Sequence, residues 1–72
     1  MINIQDVFKL NGRVHKEDGP AWIDYFEDGS ISEEAYYIDG KMHREDGPAH
    51  IEYHRGGSVK YLFYYINGIR VD

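Results

Sequence analysis

Two clusters of imidazole and carboxylate lie twenty-eight residues apart: His15 with Glu17 and Asp18, and His43 with Glu45 and Asp46. Both groups ligate zinc or manganese, so metal binding is the first chemistry to weigh. A competent site needs three or four ligands converging on one point, with further groups orienting them. Neither cluster supplies that alone, and the expectation is no metal and no other cofactor. A corner that commits its Asp to the turn and its Glu to solvent, Lys16 or Arg44 accounts for both. His50 and His54 are four apart, which on a strand sets them on one face about 13 Å from each other, too far to chelate together. They read as rim contacts with a partner, or as a pH-sensitive element.

Catalysis finds less support. There is no cysteine nucleophile, no serine in an elbow or triad setting, and no glycine-rich loop leading into a helix. Glu33 and Glu34 are adjacent, so strand alternation sends them to opposite faces. The expectation is a protein without enzymatic activity.

The elements that position these residues come from a repeat. The phrase "HKEDGPAWIDY" at 15–25 returns as "HREDGPAHIEY" at 43–53. Laid over one another without a gap, residues 12–39 and 40–67 share fourteen of twenty-eight positions. The period extends outward, because "FKLNG" at 8–12 falls on "YYIDG" at 36–40 and "YYING" at 64–68. Two full units with a half-unit at each end form a short repeat array.

Asp28-Gly29 and Gly56-Gly57 separate runs rich in β-branched and aromatic residues, as do Asn11-Gly12, Asp39-Gly40 and Asn67-Gly68. Such pairs tolerate the positive φ values of two-residue type I′ turns. No ten-residue stretch keeps a helical period free of glycine or proline. The expected fold is therefore all-β: a single antiparallel meander of about five to six strands, one domain over residues 1–72. The strands fall at about 6–10, 21–26, 31–38, 49–55 and 59–66, with a stub at 69–71. In the repeated "EDGP" corner, Asp18 and Asp46 are expected to close Asx turns, Gly19 and Gly47 to adopt left-handed backbone, and Pro20 and Pro48 to fix φ before the next strand.

Two-residue turns would set Ile23 opposite Glu34 and Ile51 opposite Leu62, sorting the side chains into two faces. One face collects Ala21, Ile23, Tyr25, Tyr36 and Ile38, then Ala49, Ile51, Tyr53, Leu62, Tyr64 and Ile66, and nearly all of these match between units. The other collects Trp22, Phe26, Ile31, Ala35 and Tyr37, then His50, His54, Val59, Tyr61, Phe63 and Tyr65, and here the units mostly differ. Matched positions are those that join one unit to the next, while positions free to diverge are those that meet something outside. Trp22, Phe26, Tyr37, His50, His54, Tyr61, Phe63 and Tyr65 are accordingly the expected partner-binding residues. So small a sheet buries little by itself, and its outer strands invite addition, so a homodimer, a partner protein or both are expected.

Composition bounds the partners. The chain has 72 residues, 42% hydrophobic and 15% aromatic, which is room for one folded domain. A formal charge of −5 disfavours contact with nucleic-acid backbones. The absence of cysteine suits a reducing compartment. No apolar run is long enough to cross a bilayer, and "MINIQDVFKL" lacks the basic start and apolar core of a leader. A soluble, cytoplasmic protein with no membrane contact is expected.

The units "NGRVHKEDGPAWIDYFEDGS" and "DGKMHREDGPAHIEYHRGGS" resemble the H-R-E-D-G-P-A variety of MORN-like repeat, similar to the repeats of YwqK-type antitoxins and of short phage and bacterial repeat proteins. The likeness covers about residues 8–70. Ordinary MORN units are shorter and carry an H-G-x-G step where this chain has H-[KR]-E-D-G-P. The resemblance implies a β-hairpin array that binds other proteins, and in the YwqK-type case one that neutralises a toxin. The functional expectation is a non-enzymatic inhibitor of a partner protein, either an antitoxin or a phage-encoded blocker of a bacterial defence system such as CRISPR. Two alternatives are a self-assembling structural module, and a nucleic-acid mimic in which Glu27, Asp28, Glu33 and Glu34 imitate phosphates.

Overall fold

A computed structural model describes residues 4–72; residues 1–3, the start of the stretch read for a leader, lie outside it. The fold is all-β, and its main body is an antiparallel five-stranded sheet. Its strands are β1 (Gln5–Val7), β4 (Trp22–Tyr25), β5 (Ile31–Ala35), β8 (His50–Tyr53) and β9 (Val59–Phe63), side by side in that order. Between them the chain makes three two-stranded hairpins: β2 (Lys9–Leu10) with β3 (Arg13–Val14), β6 (Tyr37–Ile38) with β7 (Lys41–Met42), and β10 (Tyr65–Ile66) with β11 (Ile69–Arg70).

The hairpins depart from the expected long strands, because the run 31–38 divides at Tyr36. The Tyr36 N–H donates to Ala49 C=O at 2.7 Å in the main sheet, while its C=O accepts from His43 N–H at 2.9 Å within the next hairpin. One residue thus hands the backbone from one set of partners to another. Tyr64 marks the matching break at the end of 59–66, its C=O accepting from Val71 N–H at 2.9 Å. The tight turns supply the reason. Asn11, Asp39 and Asn67 have φ of 52°, 50° and 49°, each followed by a glycine also at positive φ, as type I′ turns require.

The hairpins stand in a column. Val14 C=O accepts from Gly40 N–H at 2.9 Å, and Met42 C=O accepts from Gly68 N–H at 2.8 Å. The repeated histidine stitches the column together: His15 Nδ1 accepts from Asp39 N–H, and His43 Nδ1 from Asn67 N–H, both at 3.0 Å. With Nδ1 accepting, the ring proton sits on Nε2, which faces Glu17 and Glu45 at 3.4 Å. These carboxylates serve the histidines rather than Lys16 and Arg44.

Ile23 lies opposite Glu34 and Ile51 opposite Leu62, as the turn arithmetic requires. The turns that join these strands differ from expectation. Phe26 N–H donates to Ser30 C=O at 2.8 Å and Gly29 N–H to Phe26 C=O at 3.0 Å, so the loop holds three residues, with Gly29 left-handed and Asp28 not. His54, Gly57 and Ser58 repeat the hydrogen bonds, although there Gly56 and Gly57 are both at positive φ, as expected of that pair. The changed loop length is absorbed by a bulge in each hairpin, which sets Ile31 opposite Tyr25 and Val59 opposite Tyr53. Both therefore leave the divergent row to which they had been assigned.

Burial is slight. Among the described residues the buried hydrophobic ones are Ala21, Ala35, Ala49 and Ile51, and Ala21 and Ala49 are fully enclosed. Ala35 belongs to the divergent set, so that face also contributes to the core. The two enclosed alanines sit where the corner re-enters the sheet, each donating its N–H to the neighbouring strand at 2.9 Å. In the corner itself, Gly19 and Gly47 are not left-handed. At Gly19 the atoms nearest an added Cβ are those of Lys16 at 3.9 Å, but space is tight at Gly47, where the Cβ would meet the Arg44 guanidinium carbon at 3.1 Å and Arg44 would have to shift. Arg44 folds over that spot, stacked 4.1 Å from the Tyr36 ring centre and donating to Asp46 and Pro48 C=O. Asp46 is thereby engaged with Arg44.

Candidate functional site

Register places Val7, Trp22, Ala35, His50 and Phe63 in one row across the five strands, and Gln5, Asp24, Glu33, Glu52 and Tyr61 in the next. Residues two apart on a strand share a face, so both rows look the same way. Trp22, His50, Tyr61 and Phe63, expected on one surface, share this face, with Trp22 two strands from His50 and Ala35 between them. His50 and Phe63 have ring centres 5.5 Å apart, and Tyr61 and Phe63 5.9 Å. Trp22 and Phe63 are half-buried here, with edges left open to solvent.

The other expected residues are scattered around this centre. Tyr37 and Tyr65 belong to the hairpin column, and burial together with the charge of Glu33 raises the Tyr37 phenol above its ordinary value. Phe26 closes the first three-residue loop and lies under the Arg55 guanidinium, 4.9 Å from ring centre to carbon. His54 is exposed beyond the end of β8 and does not share the position of His50.

What sequence reasoning missed is the acidic row. Asp24, Glu33 and Glu52 stand directly opposite one another on three adjacent strands, an arrangement that costs stability unless the charge is offset. Three devices offset it. The Trp22 indole N–H donates to Asp24 Oδ2 at 3.1 Å. His50 Nε2 lies 3.0 Å from Glu33 Oε2 and 3.9 Å from Glu52 Oε2. The third lies between the carboxyls themselves: the hydrogen bond to Asp24, then burial, lift the Glu33 carboxyl above its usual range, against the pull of His50. Burial also lifts Asp24, yet hydrogen bonds from Glu33, Trp22 and Gln5 outweigh it and hold that carboxyl low. The signal was present in the sequence, since pairing residue 23 with 34 also pairs 24 with 33. Glu33 and Glu34 are conspicuous because they adjoin along one strand, whereas Asp24, Glu33 and Glu52 meet only across strands.

Glu33, His50 and Glu52 each bring one ligand atom within 4.8 Å of the others, close enough in donor type and spacing to hold an ion. His50 Nε2 already lies within hydrogen-bond distance of Glu33 Oε2, at 3.0 Å, so the contact exists without an ion.

The opposite face carries a repeated latch. The Tyr25 hydroxyl donates to Asp6 at 2.6 Å, and the equivalent Tyr53 hydroxyl donates to Glu34 at 2.5 Å. Each joins a strand to the one before it, so this face ties unit to unit while the other presents aromatic rings around carboxylates. Compared with family models, with curated proteins and with solved structures, the chain finds no match.

Proposed function

We propose that this chain is a non-enzymatic protein-binding module that inhibits its partner, engaging it through the face built from Trp22, His50, Tyr61 and Phe63. The observation that carries the reading is the acidic row Asp24, Glu33 and Glu52 set among those rings. Aromatic residues are enriched where interfaces bury area, and a carboxylate cluster selects a partner surface bearing Arg and Lys. Basic surfaces belong to proteins that handle nucleic acid, which is why a toxin acting on RNA or DNA, or a bacterial defence nuclease, is the partner class that fits. The MORN-like character of the repeat agrees with such a role.

Phosphate mimicry by Glu27, Asp28, Glu33 and Glu34 has less behind it. Glu34 is committed to Tyr53 on the other face and Asp28 to Ser30 in a loop, so the four do not form one strip.

The test is capture of a partner by the wild-type chain beside Trp22→Ala and Glu52→Lys. Both variants should keep the wild-type circular dichroism spectrum and lose the partner, and wild-type capture should weaken as salt rises. Folded variants that retain every partner would refute the reading.

A further inference from the structure

Strands β1, β5 and β9 occupy the same place in the repeat, twenty-eight residues apart, and read Gln5-Asp6-Val7, Glu33-Glu34-Ala35 and Tyr61-Leu62-Phe63. At the middle position Asp6 and Glu34 each accept a tyrosine hydroxyl. The third strand replaces that carboxylate with Leu62, which is 42% exposed, beside Val59 at 51% and Tyr61 at 52%. Among the described residues β9 is also an outermost strand of the sheet. Outer strands ordinarily carry charge that blocks pairing, and here the substitution runs the other way.

We propose that β9 pairs antiparallel with β9 of a second copy of this chain, about a twofold axis at Leu62, joining two five-stranded sheets into one. The backbone is already arranged for it. Phe63 C=O accepts from Ala49 N–H at 2.9 Å on the inner side, so alternation turns the Leu62 N–H and C=O outward. The equivalent residue of β5, Glu34, stands opposite Ile51 across that same side, and the bulge at the start of β5 does not prevent it. Tyr64 C=O is held by Val71 N–H, as Tyr36 C=O is held by His43 N–H while β5 pairs with β8, so the outer side of β9 accepts a neighbour as far as Leu62.

The register selects a second copy. With Leu62 on the axis, Leu62 meets Leu62 on one face, while Tyr61 of each copy meets Phe63 of the other on the opposite face. The outward backbone groups of the two Leu62 residues bond one another directly. Lys60, the one charged residue of β9, is held off the axis. Pairing β9 with β1 of another copy would instead be parallel, since first and fifth strands of an up-and-down sheet run the same way, and would set Asp6 against an apolar edge. The twofold contact therefore closes on itself as a dimer and does not propagate as a filament. This inference goes beyond the proposed function and does not depend on it. In the dimer the two aromatic faces would lie side by side.

Light scattering during size exclusion tests it on the 72-residue chain beside Leu62→Glu. Glutamate is the residue the fold itself uses at the equivalent place in β5, so this variant keeps the fold. The wild type should run at twice the chain mass, and Leu62→Glu should shift to monomer with self-association weakened at least about tenfold. A single cysteine reads the register, because the chain has none of its own. Under mild oxidation Leu62→Cys should cross-link, since Cα atoms of a hydrogen-bonded antiparallel pair lie about 5.5 Å apart, within disulfide reach. Asp6→Cys, at the matching place on β1, should not. A monomeric wild type, longer assemblies, a Leu62→Glu dimer of undiminished strength, or equal cross-linking at both positions would overturn the proposal.

Discussion

The two outer strands of the sheet, β1 and β9, are the same element of the repeat with different chemistry. Both pair inward with a four-residue strand, β4 or β8, and both hand the chain on to a tight hairpin. β1 carries Asp6, fastened to Tyr25, whereas β9 carries Leu62, fastened to nothing among the described residues. The repeat fixes backbone geometry, so a single side chain decides whether an edge is charged and closed or apolar and adhesive.

If the units share one geometry, damage at their common corner should be equal and large. Ala21→Leu and Ala49→Leu each force a bulky side chain into a fully enclosed site. Each should cost about 1–3 kcal/mol, measured by urea unfolding in the Leu62→Glu background so that association does not intrude. A cost borne by one unit alone would break the equivalence on which the comparison rests.

Transplanting the edge sharpens the contrast. Asp6→Leu removes the acceptor of the Tyr25 hydroxyl and gives β1 the character of β9. The loss of this exposed bond should lower stability only slightly, and light scattering should show new self-association through β1. A variant that stays as dispersed as the parent would mean that the leucine alone does not make an edge adhesive.

The histidine stitches compare the two joints of the hairpin column. His15→Ala and His43→Ala each remove one acceptor from a backbone N–H, for about 0.5–1.5 kcal/mol by chemical denaturation. Asp39 stands 3.7 Å from His15, while the equivalent position near His43 is Asn67, so the His15 joint alone has a second carboxylate beside the glutamate that each histidine faces. Equal losses would mean that this carboxylate adds nothing.

The smallest effect is alkaline. The hydrogen bond to Glu34, then burial, push the Tyr53 phenol up to about 12. Its bond to Asp6 raises Tyr25 in the same direction. A phenol whose folded value lies above its unfolded one stabilises the fold while it is protonated. That contribution is complete below about pH 10 and is lost as pH rises from there toward 12. Absorbance titration should show a late tyrosine wave that moves earlier in Glu34→Gln. An unmoved wave would assign the shift to something other than the latch.

Much of this fold can be read from the chain. Asn11-Gly12, Asp39-Gly40 and Asn67-Gly68 announced their turns because left-handed backbone is a property of the residues themselves. The register of Ile23 with Glu34 followed by counting. Asp28-Gly29 misled, because the same dipeptide also serves a three-residue loop in which its glycine alone is left-handed, and the choice is made by the strands it joins. The breaks at Tyr36 and Tyr64 were hidden inside uninterrupted β-forming runs. Trp22, His50, Tyr61 and Phe63 were recognised as one surface because they share strand parity, while Asp24, Glu33 and Glu52 went unrecognised because no two of them are neighbours in sequence.

The chain alone determined the period, the tight turns and the alternation of faces, since each depends on conformational preferences acting over a few residues. Tertiary structure decided the histidine stitches, the meeting of three carboxylates and the open side of β9. Those depend on which strand lies beside which, and a hydrogen bond or a charge acts through the distance between groups, however many residues separate them along the chain.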